Sequence, residues 1–268
     1  MSFSVLMSVY AKEKPEYLEE ALKSVINQTL QSNEIYIIKD GPLTNELDSV
    51  IDRYCKKYDI IKTYQFSQNV KLGRALAKGV ELCTNDIIAR MDTDDIALPN
   101  RFEVQYQYMQ AHPDISVVGG QIEEFNENNE TRTKIMPVTQ NEIYRYSKMR
   151  NPLNHMTVMF RKKDILAVGN YQHFPLLEDY FLWSRLLSEH YKITNIQQVL
   201  VKARTEQDIY KRRGGFAYFK SHKALRKKQY ELGLLNCYEY SKAVAGSFIF
   251  AMQPNWARKI VYRKVLRK

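Results

Sequence analysis

Apolar and polar positions alternate in regular blocks along the first hundred residues. Four short apolar runs have the length and composition of strands: residues 3–10, 34–40, 61–66 and 86–92. Between these runs, apolar residues recur at the three- and four-residue spacing of a helix face, as at Leu18, Leu22 and Val25 behind Pro15. The pattern predicts strands that alternate with helices.

Short connections and mostly apolar strands favour a central parallel sheet covered by helices, an α/β fold. Ligands of such sheets bind beyond the carboxyl ends of the strands. Tyr10, Asp40 and Asp92 fall at three of these predicted ends. We therefore expect a ligand site along this edge of the sheet.

Three carboxylates crowd the end of the fourth predicted strand, in the sequence ARMDTDD. Asp92, Asp94 and Asp95 would repel one another unless a cation or a set of donors neutralised them. A hard divalent ion such as Mg²⁺ or Mn²⁺, which prefers oxygen ligands and substrate phosphates, would do so. The alternative is that Asp94 or Asp95 caps the helix that starts near Pro99.

Composition indicates an ordinary globular chain: of its 268 residues, 44% are hydrophobic and 26% charged. The three cysteines lack metal-ligand spacing and suit free thiols, which predicts a cytoplasmic protein. No secretory signal is visible at the N-terminus. The longest strongly apolar stretch, residues 243–252, is too short to span a bilayer.

Positive charge is concentrated near the C-terminus. From Arg204 onward the chain has 16 basic and 4 acidic residues, a net charge of +12, whereas the first 203 residues carry −2. A basic tail predicts an anionic partner, and both nucleic acid and the cytoplasmic face of a membrane fit this charge.

Five segments in order, SVLMSVY, KDGP, NVKLGRALAKG, ARMDTDD and LLEDYFLW, resemble the successive motifs of family 2 glycosyltransferases. The resemblance covers about residues 3–205 and implies the GT-A fold, a Rossmann-like nucleotide-sugar-binding fold with a central, mostly parallel mixed sheet. The segments DGPLT and NPLNHMTVMFRK further resemble the bacterial branch that builds capsular and exopolysaccharide repeat units.

The resemblance implies a site for the donor nucleotide-sugar. Val9 and Tyr10 would wall the base, and Asp40 would accept a hydrogen bond from uracil. The other implied contacts are Asn69, Gly73, Arg74, Arg90, Asp92, Thr93 and Asp94. Gly73 would let the backbone approach the nucleotide, although a plain turn before a helix explains it equally well.

The resemblance also assigns a metal, Mn²⁺ or Mg²⁺. Asp94 would bind the ion that bridges the donor diphosphate, with Asp95 as a second candidate ligand, and Asp92 would contact the ribose or the waters of the metal. Such an ion acts as a Lewis acid that stabilises negative charge on the departing nucleoside diphosphate.

Residues for the acceptor follow in the second half. In the resembled family, a Glu-Asp pair at this place supplies the base that takes a proton from the acceptor hydroxyl, and the base is usually the second member. In this chain the pair is Glu178–Asp179, so the resemblance implies Asp179 as the base. Acids at a helix start also serve merely as dipole partners. Four further residues are candidate contacts of the acceptor or the diphosphate: His155, Trp183, Arg204 and Arg212. The first two fit a core position equally well, whereas the two arginines would clamp the diphosphate from a mobile loop.

We predict a catalytic domain over residues 1–205 and a basic helical extension over residues 206–268. Within the first, residues 1–98 would bind the nucleotide-sugar and residues 99–205 the acceptor. The end of the extension, WARKIVYRKVLRK, interleaves basic with apolar residues, as membrane-surface helices do. Alternatively, the apolar segment 243–252 packs on the catalytic domain and the charges are solvated.

The leading functional hypothesis is an inverting, metal-dependent glycosyltransferase that moves a sugar from a UDP-sugar to a polyprenyl-diphosphate-linked saccharide at the membrane. A nucleotidyltransferase acting on sugar phosphates would also use carboxylates and a metal, but it releases pyrophosphate. A nucleic-acid-binding protein would use the basic tail. The chain lacks recognisable nucleic-acid motifs, a Walker loop and a Rossmann glycine fingerprint, so no nucleic-acid partner is expected.

Overall fold

The structure is a computed structural model that describes residues 2–126, 128, 130–205 and 214–254. Its first half alternates strands and helices as the apolar pattern predicts. The elements are β1 (Ser4–Val9), α1 (Pro15–Ile26), β2 (Glu34–Lys39), α2 (Asn45–Lys57), β3 (Ile61–Gln65), α3 (Leu72–Leu82) and β4 (Ile87–Met91). Strand β1 pairs in parallel with β2 and β4, and β2 pairs in parallel with β3. The carboxyl ends of these strands therefore share one edge.

The second half extends the same sheet. Its elements are β5 (Ile96–Ala97), α4 (Arg101–Ala111), β6 (Ile115–Phe125), β7 (Thr131–Lys134), α5 (Gln140–Ser147), β8 (Met159–Arg161), α6 (Lys162–Ala167), α7 (Glu178–Ser188) and β9 (Lys192–Arg204). The strand order is β3-β2-β1-β4-β8-β6-β9-β5, with β7 beside β6. Strand β8 is antiparallel to both neighbours, whereas β6 and β9 are parallel. The sheet is mixed and mostly parallel, as predicted.

Helices cover both faces of this sheet because alternate strand residues point to opposite sides. On one face, β1 residues such as Val5 and Met7 pack in a core with α1, α2 and α4. On the other, Leu6 packs with α3 and α7. Helix α3 lies close to β1, since a Cβ added at Gly79 would sit 2.2 Å from Leu6 Cδ1.

Two antiparallel helices, α8 (Gly215–Glu231) and α9 (Cys237–Met252), form a C-terminal hairpin. Arg226 is buried in α8 and donates to the backbone oxygens of Lys148 and Met149 and to Tyr180 Oη of α7. These bonds attach α8 to the predicted acceptor half. Within the described residues, none of the helices has both the length and the apolar content that a bilayer crossing requires.

Candidate active site

Three groups of polar residues lie beyond the carboxyl ends of β1, β2 and β4 or face them from α7. One group surrounds Asp40, the second is the acid cluster behind β4, and the third is the Glu178–Asp179 pair at the start of α7. Burial raises the pKa of both Asp94 and Asp179, and the charge of Arg90 partly offsets this rise in each. The guanidinium therefore lies near both the acid cluster and α7.

Asp40 organises the loop between β3 and α3. One carboxylate oxygen accepts from the backbone N–H of Val70 at 2.6 Å, and the other from Asn69 Nδ2 at 2.9 Å. Gly41, with φ at +94°, allows close approach of this loop, because a Cβ there would lie 2.7 Å from the Asn69 nitrogen. The buried carboxylate thus holds the loop that the sequence assigns to the nucleotide; its contact with uracil stays a prediction.

Val9 offers no side chain to a base, and its contact with the nucleotide stays a prediction. Val9 has 0% exposure and packs in the core under the sheet, while its carbonyl accepts from the Asp40 N–H at 2.8 Å. Tyr10, the residue after the end of β1, is 42% exposed. Of this pair, Tyr10 is the residue whose ring is available to a ligand.

Gly73 has a packing function in this structure. A Cβ at Gly73 would lie 2.7 Å from the Gln172 carbonyl oxygen and 3.3 Å from Glu178 Cβ. The glycine thus brings the start of α3 against the start of α7. Arg74, the next residue, is exposed at the same helix start. Lys71 before the helix has φ 75° and ψ 153°, a conformation costly for a residue with a side chain.

Two of the three carboxylates of the acid cluster are held by hydrogen bonds from arginines. Arg90 is buried and donates through both terminal nitrogens to the Asp92 carboxylate. Asp95 is also buried and accepts from the Arg204 backbone N–H at 2.8 Å. Asp94 lies between these two anchored carboxylates.

Thr93 and Glu13 form a further hydrogen bond beside the acid cluster. Thr93 is 3% exposed, and its hydroxyl donates to the Glu13 carboxylate at 2.6 Å. Sequence reasoning missed Glu13, which lies 80 residues from Thr93 in a loop that shows no motif. Its charge, after burial and the charge of Asp92, raises the pKa of Asp94 to about 7.

The donor set fits a hard divalent cation. Ligand oxygens of Asp92, Asp94 and Asp95 lie within 4.8 Å of one another, and carboxylate oxygens are what Mg²⁺ and Mn²⁺ prefer. Burial, followed by the charges of Asp94 and Asp92, raises the pKa of Asp95 well above its usual range. A cation would remove this repulsion, and Asp94 is the member that neither Arg90 nor Arg204 anchors through its carboxylate.

Glu178 and Asp179 begin α7, where the exposed N–H groups of the first turn favour negative charge. Burial, and then the charge of Asp179, raises the pKa of Glu178 to about 7. Burial also raises the pKa of Asp179, while a hydrogen bond from Asn151 lowers it. Both carboxyls are therefore shifted towards the pKa range that a general base requires.

Asn151 is a site residue that sequence reasoning missed. Its Nδ2 donates to Asp179 Oδ2 at 2.5 Å across a separation of 28 residues. The segment NPLNHMT drew attention to His155, and the first residue of that same segment carries the contact. Asn151 therefore fixes one oxygen of Asp179, and the backbone N–H groups of Tyr180 and Asp179 at the start of α7 also bond to the carboxylate.

His155 and Trp183 lie together behind the site. His155 Nε2 lies 2.9 Å from Tyr171 Oη, and burial lowers the pKa of the imidazole well below its usual range. His155 is therefore neutral. Trp183 has 0% exposure and packs edge-on against His155. Of the two positions that the sequence left open for Trp183, the structure shows the core position and not a contact with the acceptor.

Arg204 ends strand β9 and is not on a separate clamping loop, which corrects its predicted placement. Its Nε donates to the Asp94 carbonyl at 3.1 Å, and its guanidinium lies over the rings of Tyr17 and Phe125. Arg204 therefore holds the turn that carries Asp94 and Asp95. Arg212, the last predicted contact, lies outside the described residues.

The fold matches that of solved proteins that bind nucleotide-sugars. The chain resembles the Staphylococcus aureus protein TarS, residues 1–349, in complex with UDP-GlcNAc, with a TM-score of 0.70 over 99% of this chain and 76% of that one at 16% identity. It also resembles a Pyrobaculum calidifontis mannosyltransferase in complex with GDP-Man and Mn²⁺, with a TM-score of 0.64 over 97% and 73% of the chains at 12% identity. The fold is GT-A.

The family model described as "Glycosyl transferase family 2" matches residues 4–168. This chain therefore belongs to glycosyltransferase family 2 and is an enzyme of that class. The match covers β1 through α6 and includes the loop at Asp40 and the acid cluster. It ends before the Glu178–Asp179 pair.

Curated relatives extend the similarity past this point. The amylovoran biosynthesis glycosyltransferase AmsE of Erwinia amylovora is 43% identical over 219 residues, 82% of each chain. An Escherichia coli UDP-Gal:alpha-D-GlcNAc-diphosphoundecaprenol beta-1,3-galactosyltransferase is 37% identical over 267 residues, 99% of this chain and 97% of the relative. These relatives favour neither the nucleotidyltransferase nor the nucleic-acid hypothesis.

Proposed function

We propose that this enzyme is an inverting, metal-dependent glycosyltransferase that moves a sugar from a UDP-sugar to a polyprenyl-diphosphate-linked saccharide. The observation that carries the proposal is the position of Asp179, a half-buried carboxylate held by Asn151 and influenced by Arg90, the partner of Asp92. A base for the acceptor hydroxyl thus adjoins an acid cluster suited to a diphosphate and its counterion.

The reaction follows from these positions. The acceptor hydroxyl oxygen attacks the anomeric carbon of the donor sugar and forms the new glycosidic bond as the bond to the diphosphate oxygen breaks. Asp179 takes the proton of the hydroxyl, and the nucleoside diphosphate departs with the bonding electrons. Direct displacement inverts the anomeric configuration.

The acid cluster would hold a divalent cation through Asp94, with Asp95 as the second ligand. Bound there, the ion would supply Lewis-acid stabilisation to the departing diphosphate. Arg90 and Arg204 keep the flanking carboxylates in place, and Asp40 holds the loop at Asn69 beside the nucleotide. Tyr10 and Arg74 present exposed groups to the donor on the same side.

The donor base and the lipid acceptor rest on the relatives. The Escherichia coli relative is named for UDP-Gal and a diphosphoundecaprenol acceptor, and one neighbour of the same fold was solved with GDP-Man. The fold alone therefore leaves the base open, and the name of the Escherichia coli relative favours UDP. A lipid-linked acceptor would place the enzyme at the cytoplasmic face of the membrane.

The direct test incubates the purified enzyme with a panel of UDP-, GDP- and dTDP-sugars and an N-acetylglucosaminyl-diphosphate lipid. Reactions contain Mn²⁺, Mg²⁺ or a chelator. We expect UDP release and a glycosylated lipid with inverted anomeric configuration, abolished by the chelator. Release of pyrophosphate would overturn the proposal in favour of a nucleotidyltransferase. Full turnover in chelator would overturn the metal assignment.

A further inference from the structure

The α8–α9 hairpin has an apolar end that the rest of the described structure leaves exposed. Phe216 is 69% exposed, Ile249 62%, Phe248 46% and Met252 42%. Phe219 contacts Phe248 with ring centroids 5.1 Å apart and Phe216 at 6.1 Å. The start of α8 and the end of α9 thus meet, and we call these five residues the open end of the hairpin.

The two helices differ sharply between their inner and outer surfaces. Ala243 and Ala251 are buried in the hairpin, with 0% and 1% exposure, whereas Ile249 and Met252 face outward. Within the described residues, this contradicts packing on the catalytic domain for Phe248, Ile249 and Met252, whereas Phe250 is half-buried beside Tyr218. A contiguous exposed apolar patch of this kind marks an interaction surface.

Positive charge accompanies this patch. Lys220, Lys223 and Lys227 follow Phe216 at intervals of four, seven and eleven residues, which places all four on one exposed face of α8. Beyond Met252, the last thirteen residues of the sequence contain six Lys or Arg and no acid. Apolar side chains at a helix end beside a basic face match an anionic lipid surface, with apolar tips in the bilayer and lysines at the headgroups.

We propose that the open end of the hairpin is a membrane-docking surface that inserts Phe216, Phe248 and Ile249 into the headgroup region of an anionic bilayer. The inference rests on the proposed function for its biological purpose, because a lipid-linked acceptor reaches the enzyme from the membrane. A partner protein or a nucleic acid bound at this surface would be the competing proposal. The side chains protrude at a helix end and are accompanied by lysines along one helix, which favours a flat anionic surface.

Docking at this end would orient the active site. Arg226 of α8 bonds to Tyr180 of α7 at 2.8 Å and to the backbone of Lys148 and Met149. Tyr180 follows the base Asp179, and Met149 lies two residues before Asn151. The hairpin and the base are therefore held together, so a bilayer bound to the hairpin has a fixed relation to the acceptor side.

The test uses the full chain and sedimentation with phosphatidylcholine vesicles, with and without phosphatidylglycerol. The double variant Phe216→Ser/Ile249→Ser removes exposed apolar groups without opening the core. We expect it to bind vesicles at least about tenfold more weakly than wild type, since each side chain loses most of its apolar transfer free energy. The matched control is Ile135→Ser/Leu166→Ser, which alters two exposed residues outside the hairpin and should bind as wild type does.

Three outcomes would overturn the proposal. The first is equal vesicle binding by the double variant and wild type, and the second is wild-type binding that does not depend on phosphatidylglycerol. The third is a wild-type protein that is a dimer when the double variant is a monomer, which would assign the surface to a second copy. Transfer to a water-soluble acceptor analogue is measured in parallel. A variant that loses vesicle binding and keeps transfer is impaired in docking alone. Absence of transfer in every variant would instead contradict the proposed function.

Discussion

At the residue scale, the assignment of Asp179 as the base predicts that its substitution slows transfer without weakening donor binding. Asp179→Asn keeps the size of the side chain and removes its capacity to take a proton, so donor binding should persist. Transfer should fall roughly 10²- to 10⁴-fold. Calorimetry with UDP and a transfer assay measure the two quantities.

Glu178→Gln is the matched control for this substitution, because the neighbouring acid begins the same helix turn. If Asp179→Asn transferred at the wild-type rate while Glu178→Gln was inactive, Glu178 would be the base. Activity in both variants would mean that the pair merely stabilises the start of α7.

In the acid cluster, by contrast, we expect a substitution to reduce donor binding and transfer together. Asp94→Ala should weaken metal-dependent UDP binding and abolish transfer together, because the ion holds the diphosphate in the ground state as well as in the transition state. The fold should survive, since the variant removes a carboxyl that is costly to bury. Calorimetric titration of UDP with Mn²⁺ gives the comparison, and wild-type affinity in the variant would refute the ligand assignment.

Glu178 also makes stability depend on pH. Its pKa is about 7 in the folded protein, against an ordinary value of 4.5, so the folded state retains a proton that the unfolded chain releases. This preference stabilises the fold at low pH and is lost as pH rises through about 7. Glu178→Gln should therefore gain roughly 1–2 kcal/mol over wild type at about pH 8.5 and much less at about pH 5.5.

Thermal unfolding at the two pH values measures this difference, with Glu16→Gln on the surface of α1 as the control. An equal gain at both pH values would mean that packing, not ionisation, is responsible. The gain would also show that the wild-type enzyme retains a destabilising carboxyl at its active site, as functional sites often do.

At the element scale, two glycines of α3 allow a comparison of packing with function. A Cβ at Gly79 would meet Leu6, and one at Gly73 would meet the Gln172 backbone. Both alanine variants should lose about 1–3 kcal/mol of stability. Gly73→Ala should in addition slow transfer at a temperature where both variants are folded, because it moves the segment before Asp179. Equal rates in the two variants would contradict this function of Gly73.

Sequence predicted the elements of the first half well, because apolar runs and helical spacing report burial directly. It failed where tertiary context decides the direction of a side chain. Residues Tyr180–Leu187 of α7 are all buried, so no periodicity could show that Trp183 faces the core. The contacts of Asn151 with Asp179 and of Glu13 with Thr93 join distant segments, and single-sequence spacing carries no such information.

At the scale of the whole molecule, the basic end of the chain predicts salt-sensitive membrane binding. The truncation should come after Pro254, because α9 packs against α8 through Ala243 and Ala251. Each Lys or Arg near an anionic surface contributes roughly 1 kcal/mol, so losing six should weaken vesicle binding by at least about a hundredfold. Transfer to a soluble acceptor analogue should be unchanged.

Co-sedimentation over a range of salt concentrations measures this effect. The wild-type protein should lose affinity as salt rises, because screening weakens surface attraction. A truncated protein that sediments with vesicles as wild type does would assign the attraction to the hairpin lysines. Aggregation of the truncated protein would instead mean that the removed residues cover the hairpin.

Arg226 limits how freely the two parts of this enzyme can be exchanged with those of its relatives. Its buried guanidinium depends on backbone oxygens of Lys148 and Met149 and on the hydroxyl of Tyr180, and a buried charge that loses such partners is strongly destabilising. A chimaera that joined a foreign hairpin to this catalytic part at the boundary near residue 205 would break those bonds. A workable graft would have to transplant the hairpin together with residues 147–151 and α7, and with them the surroundings of the catalytic base.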